Sequence, residues 1–177
     1  MKKLLAALVC ALLATAMLCG ALAIDIQVPT LSDVLVTHRA FLTAEDATYK
    51  EYVVLFANGN GILTQMNDEC HFFKSAGYTM DMINAIDVDG IYPGFSQMAF
   101  ADVQITEEPE FFRYNVRFRK LDDAANAQAM VDAGLLIRYS DGAVFNADSI
   151  AESVIGRGGQ ELTGLELGTS GLSYDIN

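Results

Sequence analysis

The segment Asp102–Phe118 reads DVQITEEPEFFRYNVRF, and it decides the fold class of this chain. After its turn, large apolar residues alternate with polar ones: Phe112, Tyr114, Val116 and Phe118 against Arg113, Asn115, Arg117 and Arg119. A period of two is typical of a β-strand with one face on a hydrophobic core. The residues before the turn alternate in the same way, and Pro109 lies inside the turn Glu107–Glu110. We therefore predict a β-hairpin whose apolar face lies under helices and whose arginines face solvent.

The two alternations also suggest a register for this hairpin. If Thr106 pairs with Phe111, Ile105 lies opposite Phe112 and Gln104 lies opposite Arg113. Residues that face each other then agree in polarity, which is the condition for a firm register in a sheet with one buried face.

A second hairpin is predicted upstream. Tyr49–Ala57 is rich in β-forming residues, and Asn58-Gly59-Asn60-Gly61 follows it. Asn and Gly tolerate the positive φ that tight hairpin turns require. Ile62–Phe73 is the returning strand, with Met66, Cys70 and Phe72 on one face and Asn67 and Glu69 on the other. Val34–Leu42 is predicted as a further strand before this hairpin.

Helical spacing and capping residues predict the remaining elements. We expect helices at Thr79–Ile86, at Asp122–Ala133 and from a capping box at Ser149–Glu152, the last ended by Gly156, Gly158 and Gly159. We also expect a strand pair within Leu136–Phe145, a final strand at Leu162–Leu167 and a loose tail from about residue 169. The predicted fold is α+β, with an antiparallel sheet of β-hairpins and helices packed on one face, in a single domain over residues 24–177.

The first 23 residues have the pattern of a signal peptide. Lys2 and Lys3 precede the apolar run Leu4–Leu18, and Ala21-Leu22-Ala23 matches the small-x-small motif of signal peptidase. We predict cleavage between Ala23 and Ile24 and export from a bacterial cytoplasm, with no transmembrane segment in the processed chain. The alternative is lipidation at Cys19, but Leu18 is too large for the residue before a lipoprotein cleavage site.

Charge and cysteine content narrow the classes of partner. The chain has a formal net charge of −12, and signal cleavage would also remove Lys2 and Lys3. Nucleic acids and anionic membranes require cationic surfaces, so we exclude both as partners. Of the three cysteines, Cys10 and Cys19 lie in the signal, which leaves Cys70 without an internal disulfide partner.

No motif for catalysis or metal binding is complete. Cys70 and His71 are adjacent, so on a strand they point to opposite faces and cannot form a thiolate pair. His38 and His71 could share zinc only with distant carboxylates. Asp87-Val88-Asp89-Gly90 lacks the first and last ligands of a calcium loop, and Gly156-Arg157-Gly158-Gly159 lacks the lysine of a phosphate loop. We therefore predict no catalytic residue, no cofactor and no metal site, with Cys70 packed in the core.

The arginine face of the hairpin has two interpretations. Arg113, Arg117 and Arg119 share one face of a strand in an acidic protein. They either pair across strands with Asp or Glu, or form a patch that binds an anionic ligand or an acidic partner.

Three segments carry a resemblance to a known family. YVVLFANGNGIL (Tyr52–Leu63), DVQITEEPEFFRYNVRF and KLDDAANAQAMVDAGLL (Lys120–Leu136) resemble the YehR-like family of small bacterial cell-envelope lipoproteins, over roughly residues 34–136. The resemblance implies an α+β fold on an antiparallel sheet. It brings no enzymatic activity and no functional residue, and this chain departs from the family because it lacks a usable lipobox.

Two classes of function follow. The first is an exported envelope or extracellular protein that binds a partner or small ligand without catalysis. The alternative is an extracytoplasmic hydrolase that uses carboxylates and His71. A cleft joining His71 to two carboxylates would favour the hydrolase, and a flat sheet face without convergent polar groups would favour binding.

Overall fold

The computed structural model describes residues 37–98, 100–123 and 146–172. Within these residues, six strands form one antiparallel sheet in the order β4-β5-β3-β2-β1-β6. The strands are β1 (Thr37–Glu45), β2 (Tyr49–Ala57), β3 (Leu63–Phe73), β4 (Ala101–Glu107), β5 (Phe111–Phe118) and β6 (Gln160–Leu162). The α-helices are α1 (Met80–Asn84), α2 (Val88–Ile91), α3 (Ala147–Gly156) and α4 (Gly164–Thr169). The predicted α+β fold is confirmed.

One face of the sheet carries the main hydrophobic core. Because opposed residues in an antiparallel pair point to the same side, the apolar positions of neighbouring strands meet there. These positions include Phe41, Leu55, Cys70, Tyr114 and Phe118, all of which are buried. α1 lies over β4 and β5, and α3 lies over β1 and β2. The predicted burial of Cys70 and of the apolar face of β5 is therefore confirmed.

The opposite face, called here the second face, is covered in part by the C-terminal residues. Leu162, Leu167 and Leu172 pack against a small buried cluster of Ala40, Val54 and Phe56. Leu172, which lies in the segment predicted to be loose from about residue 169, is among these contacts. α4 lies on this face, away from the helices that cover the main core.

The observed register of the β4–β5 hairpin differs from the predicted one. Thr106 pairs with Arg113 and Ile105 with Tyr114, whereas the prediction paired Thr106 with Phe111. A slip of two residues leaves every side chain on its original face, so the alternation of polarity cannot distinguish the two registers. The turn decides between them, because the Glu108 amide donates to the Phe111 carbonyl at 2.9 Å and closes it there.

Several helix boundaries also differ from prediction, because side chains cap the helices elsewhere. Thr79 caps α1 as expected, but that helix ends at Asn84, and Asp87 then caps the separate helix α2. α3 begins at Ala147, since Asn146 accepts a hydrogen bond from the Asp148 amide.

The predicted final strand, Leu162–Leu167, is wrong beyond its first residue. Thr163 and Glu166 form a capping box that starts α4 instead. The Thr163 amide donates to Glu166 Oε2 at 3.1 Å, so a local interaction turns the chain out of the sheet.

Some predictions concern residues outside the described ranges. These are the signal peptide with its Ala23–Ile24 cleavage and Cys19, the strand pair in Leu136–Phe145, and the predicted helix Asp122–Ala133 beyond Asp123.

Candidate functional site

A buried polar network occupies the second face where β3 pairs with β5. Alternation along β3 puts Glu69 and His71 on this face, and the register places Asn115 opposite Glu69 and Arg113 opposite His71. His71 Nε2 and Glu69 Oε1 are 2.7 Å apart, and Arg113 Nε lies 3.0 Å from the same oxygen. Asn115 Nδ2 donates to Glu69 Oε2 at 3.3 Å. The carboxylate of Glu69, which is fully buried, is therefore contacted by three polar side chains.

Aromatic rings and the C-terminal residues close over this network. His71 stacks on Phe111 with a centroid separation of 4.2 Å, and Tyr52 lies at 5.0 Å on a tilted ring plane. Arg113 Nη2 donates to the Gly171 carbonyl at 2.5 Å. Only 1% of the surface of His71 is exposed. In this conformation the imidazole contacts protein groups and does not present a nitrogen to solvent.

Arg113 and Arg117 of β5, and Arg119 directly after it, lie on the predicted face, but the expectation that this face is solvated is wrong for Arg113 and Arg117. The side chains of Arg113 and Arg117 are 12% and 9% exposed, and that of Arg119 is 41% exposed. Arg117 Nη2 lies 2.5 Å from Asp102 Oδ2, and Arg119 Nε lies 3.1 Å from Asp102 Oδ1. Cross-strand pairing, the first interpretation, is what the geometry shows. Partner binding by these three residues stays a prediction.

A second cluster, which is absent from the predicted site residues, lies on the core face. Glu51 pairs with Cys70 across β2 and β3, and Asp68 lies two residues before Cys70 on the same face. One oxygen of each carboxyl group and the Cys70 Sγ lie within 4.8 Å of one another. The Tyr92 hydroxyl donates to Asp68 Oδ2. A signal was present in the sequence, because alternation along β2 puts Glu51 on the same face as Val53, where an acidic residue is out of place.

Burial changes the acid–base properties of this cluster. Glu51 is 2% exposed, and desolvation, reinforced by the nearby charge of Asp68, raises the pKa of its carboxyl to about 9. Desolvation also raises the pKa of Asp68, to about 6, although its hydrogen bond with Tyr92 opposes the shift. The pKa of the Cys70 thiol is raised well above its usual value for the same reason. Near neutral pH the two carboxyl groups therefore hold about one proton between them.

The histidines do not form a joint metal site. His38 pairs with Phe56 on β2, whereas His71 pairs with Lys50. At about 3.3 Å per residue, these positions are roughly 20 Å apart along the strand. Zinc held by both His38 and His71 is therefore incompatible with the sheet.

The two sequence motifs that resembled ligand loops have local structural roles. Asp87 Oδ1 accepts a hydrogen bond from the Gly90 amide at 3.1 Å and so caps α2. The segment Gly156-Arg157-Gly158-Gly159 ends α3. Gly158 adopts a positive φ of 93° where the chain turns back toward β6.

A surface cleft of about 260 Å³ lies between the β2–β3 turn and the start of α3. Its lining includes Arg39, Asn58 and Asp148. Arg39 forms two hydrogen bonds to Glu161, at 2.6 and 2.7 Å, and one to Asp148 at 3.0 Å. The charge of Arg39 is thus balanced within the protein, while the Asp148 side chain remains 76% exposed. His71 does not line this cleft.

None of the helices in the described parts of the chain is both long and apolar enough to cross a lipid bilayer.

Comparison with known proteins gives distant structural similarities. No protein-family model matches the sequence, and no curated protein matches it. The NMR structure of the Escherichia coli YehR protein is similar at a TM-score of 0.46 and 12% identity, covering 70% of this chain and 89% of that one. The NMR structure of a protein from Streptococcus pneumoniae TIGR4 has a TM-score of 0.45 and 8% identity, covering 82% of this chain and 94% of that one. The chain is thus distantly similar to YehR in structure, without evidence of membership in a lipoprotein family.

Proposed function

We propose that this chain is an exported bacterial envelope or extracellular protein that binds a partner or small ligand and does not catalyse a reaction. The observation that carries the proposal is the state of His71. It is the histidine that the alternative hydrolase would use, yet it is buried, bonded to Glu69 and stacked on Phe111. A general base must reach the proton that it abstracts, and His71 reaches only protein groups in this conformation.

The cleft beside the β2–β3 turn is the surface that we assign to ligand binding. It is concave, and its lining combines the exposed carboxylate of Asp148 with the apolar side chains of Leu55 and Ala57. The net charge of −12 and the exposed Asp148 carboxylate favour neutral or cationic ligands over anionic ones.

The test of binding is a screen of small neutral and cationic compounds by NMR, with ¹⁵N-labelled protein. We expect amide shifts concentrated around Asn58 and Asp148, and weaker binding by the Asp148→Ala variant. Asp81→Asn is the matched control, because Asp81 is an exposed acidic residue in the first turn of α1, outside the cleft. Equal binding by both variants would remove the cleft from the proposal.

The hydrolase alternative is tested on the same protein. Ester, glycoside and peptide substrates should be turned over no faster than in buffer. Turnover that is lost in His71→Gln, in a variant that still gives a folded spectrum, would overturn the non-catalytic proposal.

A further inference from the structure

The cluster on the core face brings together three groups that can bind a metal ion. Cross-strand pairing places Glu51 beside Cys70, and the period of two places Asp68 on the same side. Their candidate ligand atoms lie within 4.8 Å of one another. Ideal tetrahedral bonds from zinc to oxygen and sulfur, about 2.0 and 2.3 Å, would separate these ligand atoms by roughly 3.3–3.5 Å. Side-chain rotations that move the ligand atoms by about 1 Å would close the cluster around an ion.

The hydrogen-bonding capacity of the cluster's carboxyl groups is not fully satisfied by the protein. Glu51 Oε2 and Asp68 Oδ1 are buried, and among the described residues neither has a hydrogen-bond partner outside the carboxyl pair itself. Two carboxylates in a region of low dielectric repel strongly unless a proton or a cation lies between them.

We propose that Glu51, Asp68 and Cys70 form a binding site for a divalent transition-metal ion of the zinc class. Carboxylate oxygens and a thiolate are accepted zinc ligands, and three protein ligands leave a fourth position for water. Binding releases the thiol proton of Cys70 and the proton shared by the carboxyl groups, so the ion replaces the proton as the compensating charge.

The surroundings of the cluster suit this role. Tyr92 donates a hydrogen bond to Asp68 Oδ2, which orients that carboxylate as outer-shell partners of metal ligands commonly do. Asp68 is only half-buried, whereas Glu51 and Cys70 are 2% and 4% exposed. This site is separate from the surface cleft, so the two proposals can fail independently.

The test uses the full chain as it is expressed, with the substitutions Cys10→Ser and Cys19→Ser. Cys70 is then the only thiol, whether or not the signal peptide has been cleaved. The metal-stripped, reduced protein is titrated with Co²⁺ alone. We expect one equivalent to bind, with a thiolate-to-cobalt charge-transfer band in the near ultraviolet that Zn²⁺ abolishes by displacement. Because Cys70 is the only thiol, that band reports its coordination directly.

Three variants in that background separate the proposed site from surface binding. Glu51→Gln keeps the side-chain shape and should weaken Zn²⁺ binding at least tenfold, and Tyr92→Phe should weaken it roughly tenfold. His38→Gln, which alters an exposed histidine outside the cluster, should leave the affinity unchanged. Circular dichroism establishes that each variant is folded.

Two results would overturn the proposal. The first is the absence of the charge-transfer band at saturating Co²⁺, which would mean that the carboxyl pair is compensated by a proton alone. The second is Zn²⁺ affinity that is lost in His38→Gln but kept in Glu51→Gln, which would place the ion on the surface.

Discussion

Glu51 lies at a position where the alternation of its strand calls for an apolar side chain. Val53 and Leu55 follow it on the same face of β2, and both are in the main core. The carboxyl group is accommodated because Asp68 and Tyr92 continue a short polar path through that core. Conformational stability should therefore depend on the protonation state of this one residue.

The sign of that dependence follows from the raised pKa of Glu51. The folded protein holds the proton up to about pH 9, whereas an unfolded carboxyl group releases it near its ordinary pKa of 4.5. The free energy of unfolding should fall as pH rises between these values, by at most about 1.4 kcal/mol per pH unit. Asp68 acts in the same direction between its ordinary pKa and about 6.

We predict that Glu51→Gln flattens this pH dependence, because the amide mimics the protonated acid without a charge to lose. With metal removed by a chelator, the variant should match the parent in free energy of unfolding near pH 5 and exceed it at pH 8. Urea unfolding at four pH values measures this. A parent protein that is more stable at pH 8 than at pH 5, with no change in the variant, would contradict the assignment.

In the β4–β5 hairpin, the prediction of which residues face the core is confirmed, whereas the prediction that the other face is exposed to solvent is wrong. Tyr114 and Phe118 lie in the core as predicted. The other side of β5 is mostly buried as well, so Arg117 is an internal residue paired with Asp102. A surface residue was expected at position 117, where a substitution would have had little effect on stability.

We predict that Arg117→Ala destabilises the protein by roughly 1–3 kcal/mol, because it removes packing and leaves a half-buried Asp102 carboxylate with less compensation. Arg119→Ala is the matched control, since Arg119 contacts the same carboxylate from a more exposed position. Arg119→Ala should change the free energy of unfolding by less than about 0.5 kcal/mol. Thermal unfolding measures the stability of both variants. Equal losses of stability would show that the burial of Arg117 does not contribute to stability.

α4 offers a second internal comparison. Leu167 packs against the cluster on the second face, whereas Leu165 in the same helix is 83% exposed. Leu167→Ala should lower the free energy of unfolding by roughly 1–2 kcal/mol, since half-buried apolar area is lost. Leu165→Ala should change it by less than about 0.5 kcal/mol. Chemical denaturation distinguishes them, and an equal response would mean that the helix does not dock as described.

On the scale of the whole molecule, the two faces of one sheet carry different chemistry. The core face carries the Glu51–Asp68–Cys70 cluster among mostly apolar residues, and the second face carries the Glu69 network beneath the C-terminal residues. Both polar groups have members on β3, the strand that pairs with β2 and β5. The surface cleft that we propose for ligand binding shares no lining residue with either buried network.

Processing is also a property of the whole chain. We predict that the exported protein begins at Ile24 and carries no lipid, since Ala21-Leu22-Ala23 matches the signal peptidase motif and Leu18 disfavours lipoprotein cleavage. Intact-mass spectrometry of the protein recovered outside the cytoplasm measures this. A first residue of diacylglyceryl-modified Cys19 would refute it.

The sequence alone determined the α+β class, the extent of β2, and the assignment of Cys70, Tyr114 and Phe118 to the core. Those features depend on a period of two, which any strand imposes on its own residues. Only the tertiary structure decided the hairpin register, the burial of Arg117, and the meeting of Glu51 with Asp68. A slip of two residues preserves polarity, and the cover over a sheet face comes from segments distant in sequence. Neither the slip nor the cover changes the alternation of polar and apolar residues along a strand. The register and the burial are therefore determined by contacts between distant parts of the chain.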